Sequence, residues 1–153
     1  MPRLTRKREI PAEPAEVWRL VSDPYSLPRW WPRVLRVENV EGEPGSENSQ
    51  WTSVLGTAEG RGVRADFRCR ESVAGQHLAW EQMIEGTPFE RHMLGYAVDV
   101  RLSGEDEGTG VALSVEQSLR GLSRLGSLMM RRGQGALLDE ALDGIERALG
   151  GGE

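Results

Sequence analysis

Apolar residues recur along this chain with two different periods, and the switches between them divide it into elements. Residues 3 to 10 read as a first strand, a polar one, closed by Ile10-Pro11. Pro14 then opens a helix at proline's favoured early position, with Glu13 and Glu16 near the positive end of its dipole. Val17, Trp18, Leu20 and Val21 give it an apolar stripe at helical spacing. Ser22-Asp23-Pro24 stops it, and Asp23 is placed to cap a second, short helix bracketed by Pro28 and Pro32 around Arg29-Trp30-Trp31. From residue 34 the period falls to two. Strands are expected at Val34–Val40, Gln50–Thr57, Arg61–Val73, His77–Ile84, Glu90–Leu102 and Val111–Leu119. Val63, Ala65, Phe67 and Cys69 alternate most clearly, against Arg64, Asp66, Arg68 and Arg70. Gly104 to Gly110 reads as an acidic hairpin loop with glycine at both ends.

After Gly121 the helical period returns. Leu122, Leu125, Leu128, Met129, Leu137, Leu138, Ala141, Ile145 and Leu149 recur three and four apart, as in one long amphipathic helix. About 25 residues at 1.5 Å each span roughly 38 Å, enough to cross a whole sheet. Gly133 and Gly135 lie mid-helix, where they mark a kink or a close approach to something bulky; the Gly150-Gly151-Gly152 tail is expected to fray. The predicted architecture is α+β: one strand, two short helices, six meandering strands and a terminal helix. Short connections imply antiparallel pairing, and the final helix is the only large apolar element available to cover a sheet with one apolar face. With no repeat or linker, residues 1–153 are read as one domain.

Composition narrows the function classes. Hydrophobic residues are 38% and charged residues 28%, which excludes a disordered chain. No apolar run approaches a membrane span. The basic start leads into no apolar stretch, so it is not read as a secretory signal. One cysteine, Cys69, permits no intrachain disulfide, and a cytoplasmic location is the default expectation. A net charge of −5 speaks against nucleic acid as a partner of the whole surface. The basic clusters at Arg3–Arg8, at Arg61–Arg70 and at Arg124, Arg131 and Arg132 read as solvated faces. Trp is overused: Trp18, Trp30, Trp31, Trp51 and Trp80 outnumber Tyr and Phe together. Such residues suit a core or a ligand wall equally.

Ile10-Pro11-Ala12-Glu13-Pro14-Ala15-Glu16-Val17-Trp18, then Val21-Ser22-Asp23-Pro24 and Leu27-Pro28-Arg29-Trp30-Trp31-Pro32, resembles the opening of the polyketide cyclase/dehydrase and lipid-transport family. That family belongs to the SRPBCC superfamily, which includes START domains and birch-pollen allergens. The resemblance continues through Leu78-Ala79-Trp80 to the last helix. It implies the helix-grip fold, a curved seven-stranded antiparallel sheet wrapped around a long C-terminal helix, commonly with a deep apolar cavity between them. It does not by itself assign a reaction.

A small-molecule site is mostly apolar with a few placed polar groups. By alternation, Trp80 and Gln82 share a face with Leu78 and Ile84, His92 shares one with Leu94 and Tyr96, and Gln117 shares one with Val115 and Leu119. A slip of one residue would reverse each assignment. The expected cavity is therefore lined by Trp80, Gln82, His92, Leu94, Tyr96 and Gln117 and roofed by Leu125, Met129 and Leu137. The plainer readings are a surface histidine for His92, a core aromatic for Tyr96, and sheet-edge amides for the two glutamines. Were the protein a cyclase, His92 would move protons and Tyr96 would donate to a carbonyl. Gly60-Arg61-Gly62-Val63-Arg64-Ala65 matches a dinucleotide fingerprint in letters only, since it leads into a strand. His77, His92 and Cys69 lack metal-site spacing, and no cofactor is expected. Three readings remain: a carrier of a small apolar or aromatic molecule, monomeric or homodimeric; a cyclase on the same fold; and a protein–protein module using the Arg64, Arg68 and Arg70 face or the Trp30-Trp31 corner.

Overall fold

The alternating segments all become strands of one sheet. The computed structural model describes residues 3–57, 60, 62–121 and 123–150. The elements are β1 (Arg3–Ile10), α1 (Pro14–Val21), a 3-10 turn (Pro24–Ser26), α2 (Leu27–Trp30), β2 (Val34–Glu41), β3 (Gln50–Gly56), β4 (Gly62–Val73), β5 (His77–Gln82), a second 3-10 turn (Pro88–Arg91), β6 (Met93–Glu105), β7 (Gly108–Leu119) and α3 (Arg124–Leu149). Arg61 and Leu122, expected to begin a strand and the helical stripe, lie outside the described residues, as do Gly151 and Gly152 of the tail. The curved sheet is antiparallel throughout, in the order β1-β7-β6-β5-β4-β3-β2. With α3 on its inner face, this is the α+β helix-grip fold.

Local chemistry explains the element ends. Pro14 is the first residue of α1, and the Asp23 carboxylate accepts from the Tyr25 N–H at 3.0 Å, as its sequence position implies. Ser123 caps α3 by accepting from the Gly126 N–H at 3.0 Å. Three boundaries differ from expectation, the first being β5, which ends at Gln82 and not at Ile84. Residues 88–91 form a 3-10 turn, so β6 starts only at Met93, and His92 ends the turn instead of lying in the strand. The expected loop at Gly104–Gly110 shrinks to Asp106-Glu107, because Gly104 pairs with Thr109 and Glu105 with Gly108. Gly108 serves close approach rather than a turn, since a Cβ there would sit 2.2 Å from the Ile10 carbonyl oxygen, whereas one on Gly104 would meet nothing within 4 Å.

The polar character of β1 also has a structural reason. Arg6 pairs with Leu113 and Arg8 with Val111, both buried, so the two arginines lie on the inner face beneath α3. Arg8 meets Asp143 and Glu146 at 2.6 Å each, and Arg6 meets Asp139 at 3.6 Å. One edge of the sheet is thus joined to the helix by charge, while Leu138, Ala141, Leu142 and Ile145 make the apolar contact. The basic cluster at the N-terminus is therefore largely paired rather than simply solvated.

α3 runs unbroken from Arg124 to Leu149, so neither Gly133 nor Gly135 interrupts it. A Cβ on Gly133 would meet nothing within 4 Å, and one on Gly135 would meet the Arg6 guanidinium. Every buried residue of α3 lies at Gln134 or beyond. The helix packs on β1, β7, α1 and α2 with its second half, and its first ten residues carry no buried side chain. It is long enough to cross the sheet but does not cover all of it.

Candidate functional site

The register of the sheet sorts the inner face into rows. One row runs Cys69, Trp80, Val98, Val115 and Leu4 across β4, β5, β6, β7 and β1. Trp80 is the hub of this level. It touches Trp30, Trp31 and Trp51 edge to face, with ring centroids 6.2, 5.7 and 6.1 Å apart, and all four indoles are buried. The space left beside Trp51, Cys69, Leu78 and Trp80 is about 10 Å³, at the threshold for a single water. This end of the interior is filled by its own side chains. Trp30 and Trp31 are 2% and 9% exposed, which removes the apolar corner on which a protein-docking reading depended. The outer-face arginines are engaged as well, Arg64 with Glu38 at 3.2 Å, and Arg68 and Arg70 with Glu81.

The neighbouring row is different. Trp51 pairs with Phe67, Phe67 with Gln82, and Tyr96 with Gln117. The last β5–β6 pair is Glu81 with Ala97, so Gln82 and Tyr96 occupy the same level across a gap where β5 parts from β6. Beyond that point β5 stays with β4, since the Met83 N–H donates to the Asp66 carbonyl at 2.7 Å. A groove of about 360 Å³ opens at the parting, lined by Gln82, Ile84, Gly95 and Tyr96 together with Arg70, Glu81, Ala97 and Glu116 of the outer face. Tyr96 packs edge to face on Phe67 at 6.4 Å. Gln117 accepts from Gln134 Nε2 of α3 at 2.8 Å. Gln82 Nε2 is buried and has no hydrogen-bond partner among the described residues.

That amide is the most informative polar group of the interior, because a buried donor without an acceptor costs roughly 1–3 kcal/mol. Desolvation also pushes the Tyr96 phenol well above its ordinary pKa, so it stays protonated and able to donate. Trp30 Nε1 and Trp51 Nε1 are likewise buried without partners. Among the described residues, Gln82 Nε2, Trp30 Nε1 and Trp51 Nε1 are thus donors of the interior without acceptors. One row further in, burial and the charge of Glu47 push the Cys69 thiol up to about 11, against a weaker opposing bond to the Glu71 carbonyl. The unfolded thiol ionises near 9 while the native one keeps its proton, so stability should fall as pH rises from about 9 toward 11. Urea melts across that range should show the decline, which the buried Tyr96 phenol steepens above pH 10, and Cys69→Ala should remove the part that begins near pH 9; an unchanged slope between pH 9 and 10 in that variant would assign that part elsewhere.

The structure thus brings Trp80, Gln82, Tyr96, Gln117 and Leu137 to the inner side, Leu137 being partly buried against the core. It sets the other sequence candidates apart. His92 is exposed at the end of the 3-10 turn. Leu94 is 58% exposed because an irregularity between Met93 and Gly95 turns Met93 inward in its place. Leu125 and Met129, expected in the roof, are 68% and 64% exposed. Two contributors were not foreseen. Alternation places Phe67 only on a buried face, and Gln134 carries no signal in the sequence beyond lying three and four residues before Leu137 and Leu138. His77 belongs to the outer face, where its Nε2 lies 2.7 Å from Asp99 Oδ2.

A curved seven-stranded antiparallel sheet gripping a long C-terminal helix, with short helices between its first two strands, defines the helix-grip class. Within that class the chain belongs to the polyketide cyclase/dehydrase and lipid transport family, whose model matches residues 1–150. No curated protein matches it. Solved structures are similar in fold. A Nitrosomonas europaea protein is 18% identical with a TM-score of 0.74, over 96% of this chain and 93% of that one. A START superfamily protein from Mycobacterium smegmatis is 12% identical with a TM-score of 0.73, over 96% of each. The di-domain ARO/CYC StfQ of the steffimycin biosynthetic pathway is 12% identical with a TM-score of 0.75; 94% of this chain matches 49% of that one. No helix among the described residues is long and apolar enough to cross a membrane.

Proposed function

We propose that the protein binds a small, largely apolar or aromatic molecule bearing hydrogen-bond acceptors. It would enter at the parting of β5 and β6 and lie along the row of Phe67, Gln82, Tyr96 and Gln117, with Leu137 of α3 on its far side. The observation that carries this reading is the buried, unpartnered Gln82 Nε2 beside the groove. Family membership and the ARO/CYC and START likenesses support a ligand of this size. Binding is favoured over acid–base catalysis, because the polar groups gathered in this row are amides and a phenol, none of which takes up a proton at neutral pH. His92, the proton carrier a cyclase reading would use, stands outside it. Trp80 acts as the packed floor of the site.

A substitution can separate a site from mere imperfect packing. Gln82→Leu removes the unpartnered donor at similar volume, so the ligand-free protein should gain about 1 kcal/mol of stability. The same change should weaken ligand by roughly tenfold, the usual worth of one buried hydrogen bond to a neutral acceptor. Native mass spectrometry of protein purified without detergent, before and after gentle unfolding, supplies the ligand. Bound mass that Gln82→Leu retains in full would place the ligand elsewhere.

A further inference from the structure

The first half of α3 presents an apolar stripe to solvent. Leu125, Leu128 and Met129 are 68%, 50% and 64% exposed, and they fall at positions i, i+3 and i+4. At 100° per residue this stripe lies roughly 160° around the helix from the one centred on Gln134, Leu138, Ala141 and Ile145, which faces the sheet. The exposed leucines and methionine are therefore turned away from the core, and are not core residues left uncovered. Large apolar side chains clustered in this way mark an interaction surface.

The charge around the stripe is one-sided. From Gln117 to Leu138 the sequence holds Arg120, Arg124, Arg131 and Arg132 and no carboxylate, in a chain whose net charge is −5. Arg132 continues the stripe one turn on, while Arg124 and Arg131 border it; all three are exposed. None of the three has an ion pair among the described residues, in contrast to the arginines of β1 and of the outer face. Arg120 ties the 3-10 turn of residues 88–91 to the same corner, donating from its side chain to the Glu90 carbonyl at 2.9 Å.

We infer that this half-helix docks the protein on an anionic lipid surface. Apolar side chains at helical spacing with arginines among and beside them, and no acid to repel phosphate, suit a helix lying in the interface. The arginine stems there follow the apolar stripe while their heads reach lipid phosphates. A second copy of the chain suits the surface less well. A two-fold contact through this stripe would bring two sets of unpaired arginines together. The inference does not depend on what the interior binds.

The test is co-sedimentation with vesicles of phosphatidylcholine alone and of phosphatidylcholine with phosphatidylglycerol, at low and high salt. The protein should bind the anionic vesicles only, and high salt should release it. Arg131→Ala with Arg132→Ala should weaken binding roughly 25-fold, at about fivefold for each charge removed. Leu125→Ser with Met129→Ser should weaken it by roughly tenfold or more at unchanged melting temperature, since both side chains are exposed. No binding to anionic vesicles, equal binding to neutral ones, or binding that neither double variant weakens would each overturn the inference. So would a lipid-free dimer that the Leu125→Ser, Met129→Ser variant dissolves, because the surface would then belong to a second copy.

Discussion

Trp80→Ala is expected to cost about 4 kcal/mol of stability, the largest single loss available in this fold. A buried tryptophan cut to alanine typically costs 3–5 kcal/mol through lost transfer energy and the cavity left behind. Trp80 stands well within that range and not at its lower end. It is 3% exposed and meets three other buried indoles edge to face, contacts worth roughly 0.5–1.5 kcal/mol each beyond area. A domain of this size is stable by roughly 5–15 kcal/mol in all, so the variant should sit near the margin of folding. At about 2–4 °C per kcal/mol, its melting temperature should drop by roughly 10 °C or more. A melt that barely moves would mean that Trp80 lines a space rather than fills one, and the packed floor assigned to it would be lost.

The second large effect lies where two helices touch. A Cβ on Gly144 would stand 2.4 Å from the carbonyl oxygen of Trp30 and 2.8 Å from its Cα. Both are backbone atoms, so no side chain can swing aside. Gly144→Ala must push α3 away from α2 and disturb the seating of the Trp30 indole against Trp31 and Trp80. The expected loss is about 3 kcal/mol, at the upper end of ordinary overpacking. Gly133→Ala is the counterpart on the same helix. It meets nothing within 4 Å, and replacing an exposed mid-helix glycine should raise stability by about 0.5–1 kcal/mol. Opposite signs in denaturant titrations of the two variants would verify the α2–α3 contact; two gains would place the helices further apart than described.

These two glycines also show how far the sequence could be read. The helical period after Gly121 made α3 legible, and the mid-helix glycines invited attention. Gly144, the one that matters, sits in an unremarkable stretch, because its role comes from a backbone more than a hundred residues earlier. The strand alternation was equally legible, and with it the inward placement of Trp80, Gln82, Tyr96 and Gln117. It failed at Leu94 because an irregularity at Met93–Gly95 shifts the phase, and a period-two argument cannot see an extra residue. His92 was misplaced for a related reason: Thr87-Pro88 starts a 3-10 turn that holds the chain out of the strand to residue 92.

What the sequence determined by itself is the order of the strands and long helices, the Asp23 cap, and the family they belong to, since these follow from local periods and short-range chemistry. Tertiary structure decided which apolar stripe of α3 meets the sheet, that the arginines of β1 pair with its acids, and that β5 and β6 part to leave Gln82 without an acceptor. The physical reason is common to all three. Periodicity says which residues share a face, but the partner of that face depends on contacts between segments far apart in the chain. Burial of Leu138 and Ile145, rather than Leu125 and Met129, was settled by where the sheet and α2 leave room for a helix.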